Sequence, residues 1–268
     1  MREQADYLDY SIARVDTVSE VKINETKTSS EAGVWWTEYA KSYDEFVVPL
    51  TCYQENINHL LNFLENTDIP KNPKICDLGA GTGIYIQAMA ERLPNTRFIH
   101  LDNNREMCNY ANNRYNNIGL DVEILNQSAN EASFQNGALD VVTSINVIYA
   151  LPNPKETLRD IFKWLKPGGY FFTIDFGRRQ NSLDWAQYFF RDLVRREGII
   201  KTARSLSAAL NLFQRQNEGV AAQDAGNYWL HTGDEFQSAL ESTGFSVLRN
   251  EVCYRGYADL AVCLKPTT

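Results

Sequence analysis

The 268-residue chain carries 26 basic against 34 acidic side chains, a net charge of −8, which suits one α/β domain with an added element better than two small domains and repels nucleic-acid phosphates. No apolar stretch approaches the roughly 20 residues of a membrane span, and the acidic, polar start lacks a basic region followed by an apolar one, so a cytoplasmic protein with neither membrane nor nucleic-acid partner is expected. Cys52, Cys76, Cys108, Cys253 and Cys263 show no C-x-x-C spacing, and there are three histidines, His59, His100 and His231, so neither a disulfide framework nor a metal site is expected.

Residues 1–33 are polar, with a Thr/Ser/Glu-rich stretch from Asn24 to Glu31, and read as an arm ahead of a domain spanning 34–268. Trp35 to Asp44 is aromatic at helical spacing, and Tyr53 to Leu64 sets Ile57, Leu60, Leu61 and Leu64 on one helix face. Strands and helices then alternate: strand 74–78, helix 83–92 stopped by Pro94, strand 97–101, helix 104–115, strand 121–125 and strand 139–145. A helix over 155–165, ended by Pro167-Gly168-Gly169, and a strand over 170–175 complete the alternation. Such a pattern predicts a parallel sheet covered by helices on both faces. Residues 178–230 interrupt it with helical patterns, Trp185 to Phe190 and Ala208 to Phe213, and read as a helical cap insertion. Thr232-Gly233-Asp234-Glu235 forms a capping box for a helix ending at Gly244. Strands at 245–253 and 258–264 then close the chain as an antiparallel hairpin.

The chemistry-bearing run is Ile75-Cys76-Asp77-Leu78-Gly79-Ala80-Gly81-Thr82-Gly83, followed after the next apolar run, Phe98 to Leu101, by Asp102. A strand that breaks into alternating glycines and then enters a helix is the nucleotide-cradling start of a βαβ unit, because glycine lets backbone approach a ligand and adopt conformations a side chain forbids. A dinucleotide fingerprint would place its third glycine where this chain has Ile84 and has no use for Asp77, which leaves a nicotinamide-type domain the weaker alternative.

The run resembles the first motif of the class I S-adenosylmethionine-dependent methyltransferases, D-L-G-x-G-T-G, over roughly residues 35–177 and 228–265. The resemblance implies a doubly wound, Rossmann-like seven-stranded sheet with an antiparallel last strand, N-terminal helices and a helical insertion after the fifth strand. It also implies the cofactor S-adenosyl-L-methionine, with S-adenosyl-L-homocysteine as product, and no metal. Gly79, Ala80, Gly81 and Gly83 would wrap the methionine part and Asp77 would order its ammonium. Asp102 and Asn103 would meet the ribose, and Met107, in D-x-x-x-x-M, the adenine. Ser128, beside Ala129, falls where the family usually places an aspartate for the adenine edge. A hydroxyl there accepts a hydrogen bond less strongly than a carboxylate. Asn146 ends the fourth strand facing the methyl group. Tyr39 and Tyr43 resemble the Y-x-x-x-Y-D element folded over the cofactor's carboxylate end, and read equally as core aromatics.

The same resemblance implies O-, N- or C-methylation of a small aromatic or apolar molecule. Trp35, Trp36, Tyr149, Phe176, Trp185, Tyr228 and Trp229 are the candidate pocket aromatics, and Arg178 with Arg179 could meet a carboxylate or phosphate. Candidate bases are Tyr149, His231 and Tyr39, although His231, directly before the capping threonine, reads as a packing or staple residue ahead of a catalyst. Non-methylating chemistry such as cyclisation, and a non-catalytic cofactor-binding role, remain open alternatives. Oligomeric state is not legible.

Overall fold

The computed structural model describes residues 39–198, 202 and 210–267. The expected arm and Trp35 and Trp36 lie outside the described residues. Seven strands form one sheet in the order β3-β2-β1-β4-β5-β7-β6: β1 Lys74–Leu78, β2 Arg97–Asp102, β3 Val122–Asn126, β4 Leu139–Ile145, β5 Leu165–Phe176, β6 Ser246–Cys253 and β7 Ala258–Leu264. The first five run parallel, and β7 inserts antiparallel between β5 and β6. The strand order reverses between β1 and β4, so the carboxyl ends of these two strands flank a crevice where ligands of open α/β sheets bind.

The helices are α1 Thr51–Glu65, α2 Ile84–Ala90, α3 Arg105–Asn117, α4 Pro154–Trp164, α5 Ser182–Glu197, α6 Leu210–Asp224 and α7 Gly233–Thr243; α1 to α4 and α7 cover the two faces of the sheet, and α5 and α6 pack against each other in the 178–230 insertion. Alternation along the strands divides the core into two layers. Val141, Phe172 and Ile174 pack with Leu60 and Phe63 of α1 and Ile86 and Met89 of α2 on one face. Val142 and Phe171 pack with Leu158 and Trp164 of α4 and Phe236 and Leu240 of α7 on the other. Burial on both faces explains why these strands read as unbroken apolar runs. At α7 the capping box forms as the sequence predicts: Thr232 Oγ1 accepts from Glu235 N at 3.2 Å, and Glu235 Oε2 accepts from Thr232 N at 2.8 Å.

Two local expectations are corrected. Pro167-Gly168-Gly169 does not terminate a helix. Helix α4 ends at Trp164, the strand begins at Leu165, and the Pro-Gly-Gly bulges between the pairs Leu139 with Leu165 and Val141 with Tyr170. Proline in a sheet is confined to such bulges, and Gly168, at φ +79°, donates its N–H to Lys265 O at the sheet's end. The helix expected to run through Asp44 becomes a π-helical turn over Tyr43–Val47, a local widening that is rare and concentrates at functional sites.

Candidate functional site

Gly79, Gly81 and Gly83 all adopt left-handed backbone, at φ +73°, +55° and +78°. A Cβ on Gly79 would lie 2.2 Å from Val147 Cγ2, and one on Gly83 would lie 2.3 Å from the Tyr115 hydroxyl, whereas one on Gly81 would meet only the Gly79 carbonyl oxygen, at an ordinary contact distance of 3.9 Å. The first and third glycines therefore let the loop pack on its own protein, and the second keeps its face open to a ligand. Asp77 is buried at the end of β1. Its Oδ1 accepts from Thr143 Oγ1 at 2.7 Å, and its Oδ2 has no hydrogen-bond partner among the described residues. Burial pushes this carboxyl up to about 7, against the lowering effect of Thr143. A carboxylate in this setting gains most from a cation brought beside it.

Asp102 ends β2. One carboxylate oxygen accepts from Gly81 N at 2.9 Å and the other from Asn104 N at 2.8 Å, which ties the acid to the glycine loop and fixes its orientation. Asn104 in turn caps α3, accepting from Glu106 N and Met107 N.

Asn146, directly after β4, also takes a left-handed conformation at φ +60°, uncommon for a side-chain-bearing residue. Three cavities meet at it. One of about 330 Å³ is walled by Gly79, Asp102, Asn103, Ser128, Ala129, Asn146 and Leu151. A second, of about 200 Å³, is walled by Tyr39, Tyr43, Asp77, the glycine loop, Met107 and Asn146. A third, of about 300 Å³, lies between Tyr39, Tyr43, Asn146, Tyr149, Phe176, Gln180, Trp185, Phe189, Gln223 and Tyr254. The sequence-predicted cofactor residues thus line the first two, apart from Gly83 at the entry to α2, and Tyr39, Tyr43, Tyr149, Phe176 and Trp185 line the third.

Other candidates sit elsewhere. Arg178 is spent inside the protein, on the Asp259 carboxylate and the carbonyls of Gly256 and Ala258, and Arg179 pairs with Asp224. Trp229 walls a separate groove between α4 and α7. Tyr228 packs edge-on behind Tyr149, with centroids 5.0 Å apart. His231 is buried between Asp175 and Asp259 and is absent from the described walls of the three cavities.

Sequence reasoning missed Arg114 of α3. Its guanidinium donates to Thr82 O at 2.9 Å, to Gln87 Oε1 at 2.6 Å and to the Asp44 carboxylate, latching the π-helical turn to the glycine loop. Asp44 was visible as the last residue of Y-x-x-x-Y-D, but Arg114 reads as an ordinary polar residue on a helix face. Gln180, Gln223 and Tyr254 were missed because three distant segments bring them to one wall.

The groups fit S-adenosylmethionine. An unpartnered buried carboxylate oxygen suits its ammonium, the open face at Gly81 admits its backbone-hugging methionine chain, and an oriented acid at a strand end suits ribose hydroxyls. A family model for a methyltransferase domain matches residues 51–250. The chain belongs to the class I S-adenosylmethionine-dependent methyltransferases. The chain is 30% identical over 138 residues to a carboxy-S-adenosyl-L-methionine synthase of Nautilia profundicola, covering 50% of this chain and 57% of that protein. It covers 56% of the corresponding Campylobacter lari synthase, so it spans little more than half the length of these two relatives. To a ubiquinone biosynthesis O-methyltransferase of Aliivibrio fischeri it is 28% identical, over 67% of this chain and 76% of that one. Among solved structures, the [4+2]-cyclase SpnF superposes with a TM-score of 0.62 at 12% identity, covering 90% of this chain and 97% of that one. A methyltransferase-like protein from Bacillus halodurans gives 0.53 at 15%, covering 78% and 100%. These two share the fold of this chain. Among the described residues, no helix is long and apolar enough to cross a membrane.

Proposed function

We propose that the enzyme methylates an aromatic or apolar small molecule held in the cavity between Tyr149, Phe176, Trp185 and Phe189. The observation that carries this reading is the junction at Asn146, which lines all three cavities. A ligand in the aromatic cavity therefore meets the methionine end of the cofactor inside the protein.

The roles follow from position. Asp77 takes the cofactor's ammonium, Tyr39 and Tyr43 cover its carboxylate end, Asp102 and Asn103 take the ribose, and Met107, Ser128 and Ala129 flank the adenine. When bound, S-adenosylmethionine supplies a methyl group already activated by its sulfonium. The protein's own residues have to align the acceptor, exclude water and receive a proton where the acceptor carries one. Burial raises the Tyr149 phenol far above its ordinary range, so Tyr149 enters the reaction protonated and orients an acceptor oxygen by donating to it. Burial raises the phenols of Tyr43 and Tyr254 on the same wall as well, so the acceptor proton is assigned to Tyr39, on the wall shared by the methionine and aromatic cavities. The acidic net charge of −8 favours a free small molecule over a nucleic acid and suits an enzyme working in the cytoplasm.

The test is transfer of label from methyl-labelled S-adenosylmethionine into a fractionated cell extract, comparing the wild type with Asp102→Ala. Label in the small-molecule fraction, lost in the variant, is expected. Label confined to protein or RNA would overturn the substrate reading, and cofactor binding with no label in any fraction would favour non-methylating chemistry such as cyclisation.

A further inference from the structure

His231 belongs to a buried charge cluster that the transfer chemistry does not use. Its Nε2 lies 3.6 Å from Asp175 Oδ2 on β5, and its Nδ1 lies 3.5 Å from Asp259 Oδ2 on β7, with all three side chains at most 1% exposed. Phe236 stacks on the ring at 4.5 Å and 14°, and Trp229 packs at 4.8 Å. The backbone of the same segment holds the site from both sides. His231 N donates to Gly177 O at 2.9 Å, and Trp229 N donates to Tyr149 O at 2.8 Å. Gly177 has to be glycine here, since a Cβ would lie 2.4 Å from His231 O. Asp175 neighbours Ile174, whose carbonyl accepts from Asn146 N at 2.7 Å. Burial pushes the Asp175 carboxyl up to about 6 against the lowering effect of His231, and neither of its oxygens has a hydrogen-bond partner among the described residues.

We propose that His231 is a positioning residue: bridging Asp175 and Asp259, it pins the 146–151 loop, and Tyr149 with it, at the boundary between the adenosine cavity and the aromatic cavity. The charges alternate. Arg178 pairs with Asp259, and His231 lies between Asp259 and Asp175. A neutral ring leaves Asp175 as a buried carboxylate without its counter-ion, a situation that costs several kcal/mol and is relieved by protonation or by opening the structure around it. The opening available is the 146–151 loop, which the Asn146 N–H ties to Ile174 beside Asp175 and the Tyr149 carbonyl ties to Trp229 beside His231.

Other titratable groups near this cluster are Glu235 of α7, whose carboxyl His231 helps to hold down, and Cys253 of β6, whose thiol burial and Asp259 push up. Burial favours the neutral imidazole, but the Asp175 and Asp259 carboxylates on either side of the ring outweigh it and carry His231 up to about 9. The cation, and the pinning it provides, is therefore present at neutral pH and lost as pH rises through about 9.

The probe is 5′-methylthioadenosine, which has no ammonium or carboxylate and so isolates the adenosine cavity walled by Asn146, Val147, Ala150 and Leu151. This use rests on the cofactor reading above. Failure of the probe to bind at neutral pH would sink that reading, whereas pH-independent binding would sink only this proposal. For the wild type, the His231 Cε1–H resonance, assigned by its loss in His231→Gln, should titrate well above 6.5, and the probe's Kd should rise about tenfold with the same midpoint. His231→Gln should bind weakly at all pH values. Asp175→Asn combined with His231→Gln, which leaves no unpaired charge, should recover most of the affinity. An ordinary histidine titration with a flat wild-type Kd, or a double variant no better than the single one, would overturn the proposal, and the wild-type series decides if His231→Gln does not fold.

Discussion

Asp77 Oδ1 accepts a 2.7 Å hydrogen bond from Thr143 Oγ1 across β1 and β4, while the other oxygen of the same carboxylate is buried with no hydrogen-bond partner among the described residues. Burial holds the carboxyl up to about 7. A folded-state value above the unfolded one means that ionising Asp77 opposes folding, so the ligand-free protein loses stability as pH rises from about 4 to about 7. A bound ammonium reverses that penalty. S-Adenosylhomocysteine affinity should therefore rise between pH 6 and 8, while 5′-methylthioadenosine affinity stays level over the same range. Calorimetric titration of both ligands checks the difference, and Asp77→Asn should abolish it.

The glycines separate stability from binding. Gly79→Ala forces a methyl group into Val147 at a left-handed position and should cost about 2–4 kcal/mol in denaturant unfolding. Gly81→Ala meets nothing nearer than the Gly79 carbonyl oxygen at 3.9 Å and should cost only about 1 kcal/mol through its backbone conformation. The larger Gly81→Leu should leave a folded protein that no longer binds S-adenosylhomocysteine.

Arg114→Gln should release the π-helical turn from the glycine loop. Asp44 is left buried with one fewer charged donor, for a loss of about 1–3 kcal/mol in stability. S-Adenosylhomocysteine should dissociate faster, measured by stopped-flow fluorescence, because Tyr39 and Tyr43 lose their anchor.

Thr232→Ala removes the capping box of α7 and should cost about 1 kcal/mol in thermal unfolding. It should leave S-adenosylhomocysteine affinity unchanged, since α7 packs on the face away from Asp77 and the glycine loop.

The sheet, and the gathering of the candidate cofactor residues at one crevice, were legible because their determinants are local. Asp77, the three glycines and Asp102 sit within a single βαβ unit, and Met107 lies in the first turn of the helix that follows it. The aromatic cavity was legible only in part. Tyr149, Phe176 and Trp185 follow strand ends or open a helix next to one, while Gln180, Gln223 and Tyr254 reach the wall through tertiary packing of α5, α6 and the β6–β7 connection. Arg178 misled for the opposite reason. An exposed-looking Arg-Arg pair signals an anion site, but β7 brings Asp259 beneath it and consumes the charge. The Pro-Gly-Gly misreading has a similar origin, since a bulge and a helix stop share the same residues and only strand pairing distinguishes them.

The most direct measurement is calorimetric titration of S-adenosylhomocysteine into the wild type and Asp102→Ala. Asp102 orients toward the adenosine cavity and carries two charge-assisted contacts to ribose on this account, so one site per chain and a loss of about 2–4 kcal/mol in the variant, thirtyfold or more in Kd, are predicted. Equal affinity of the two proteins, with the variant folded, would contradict the placement of the cofactor in this crevice.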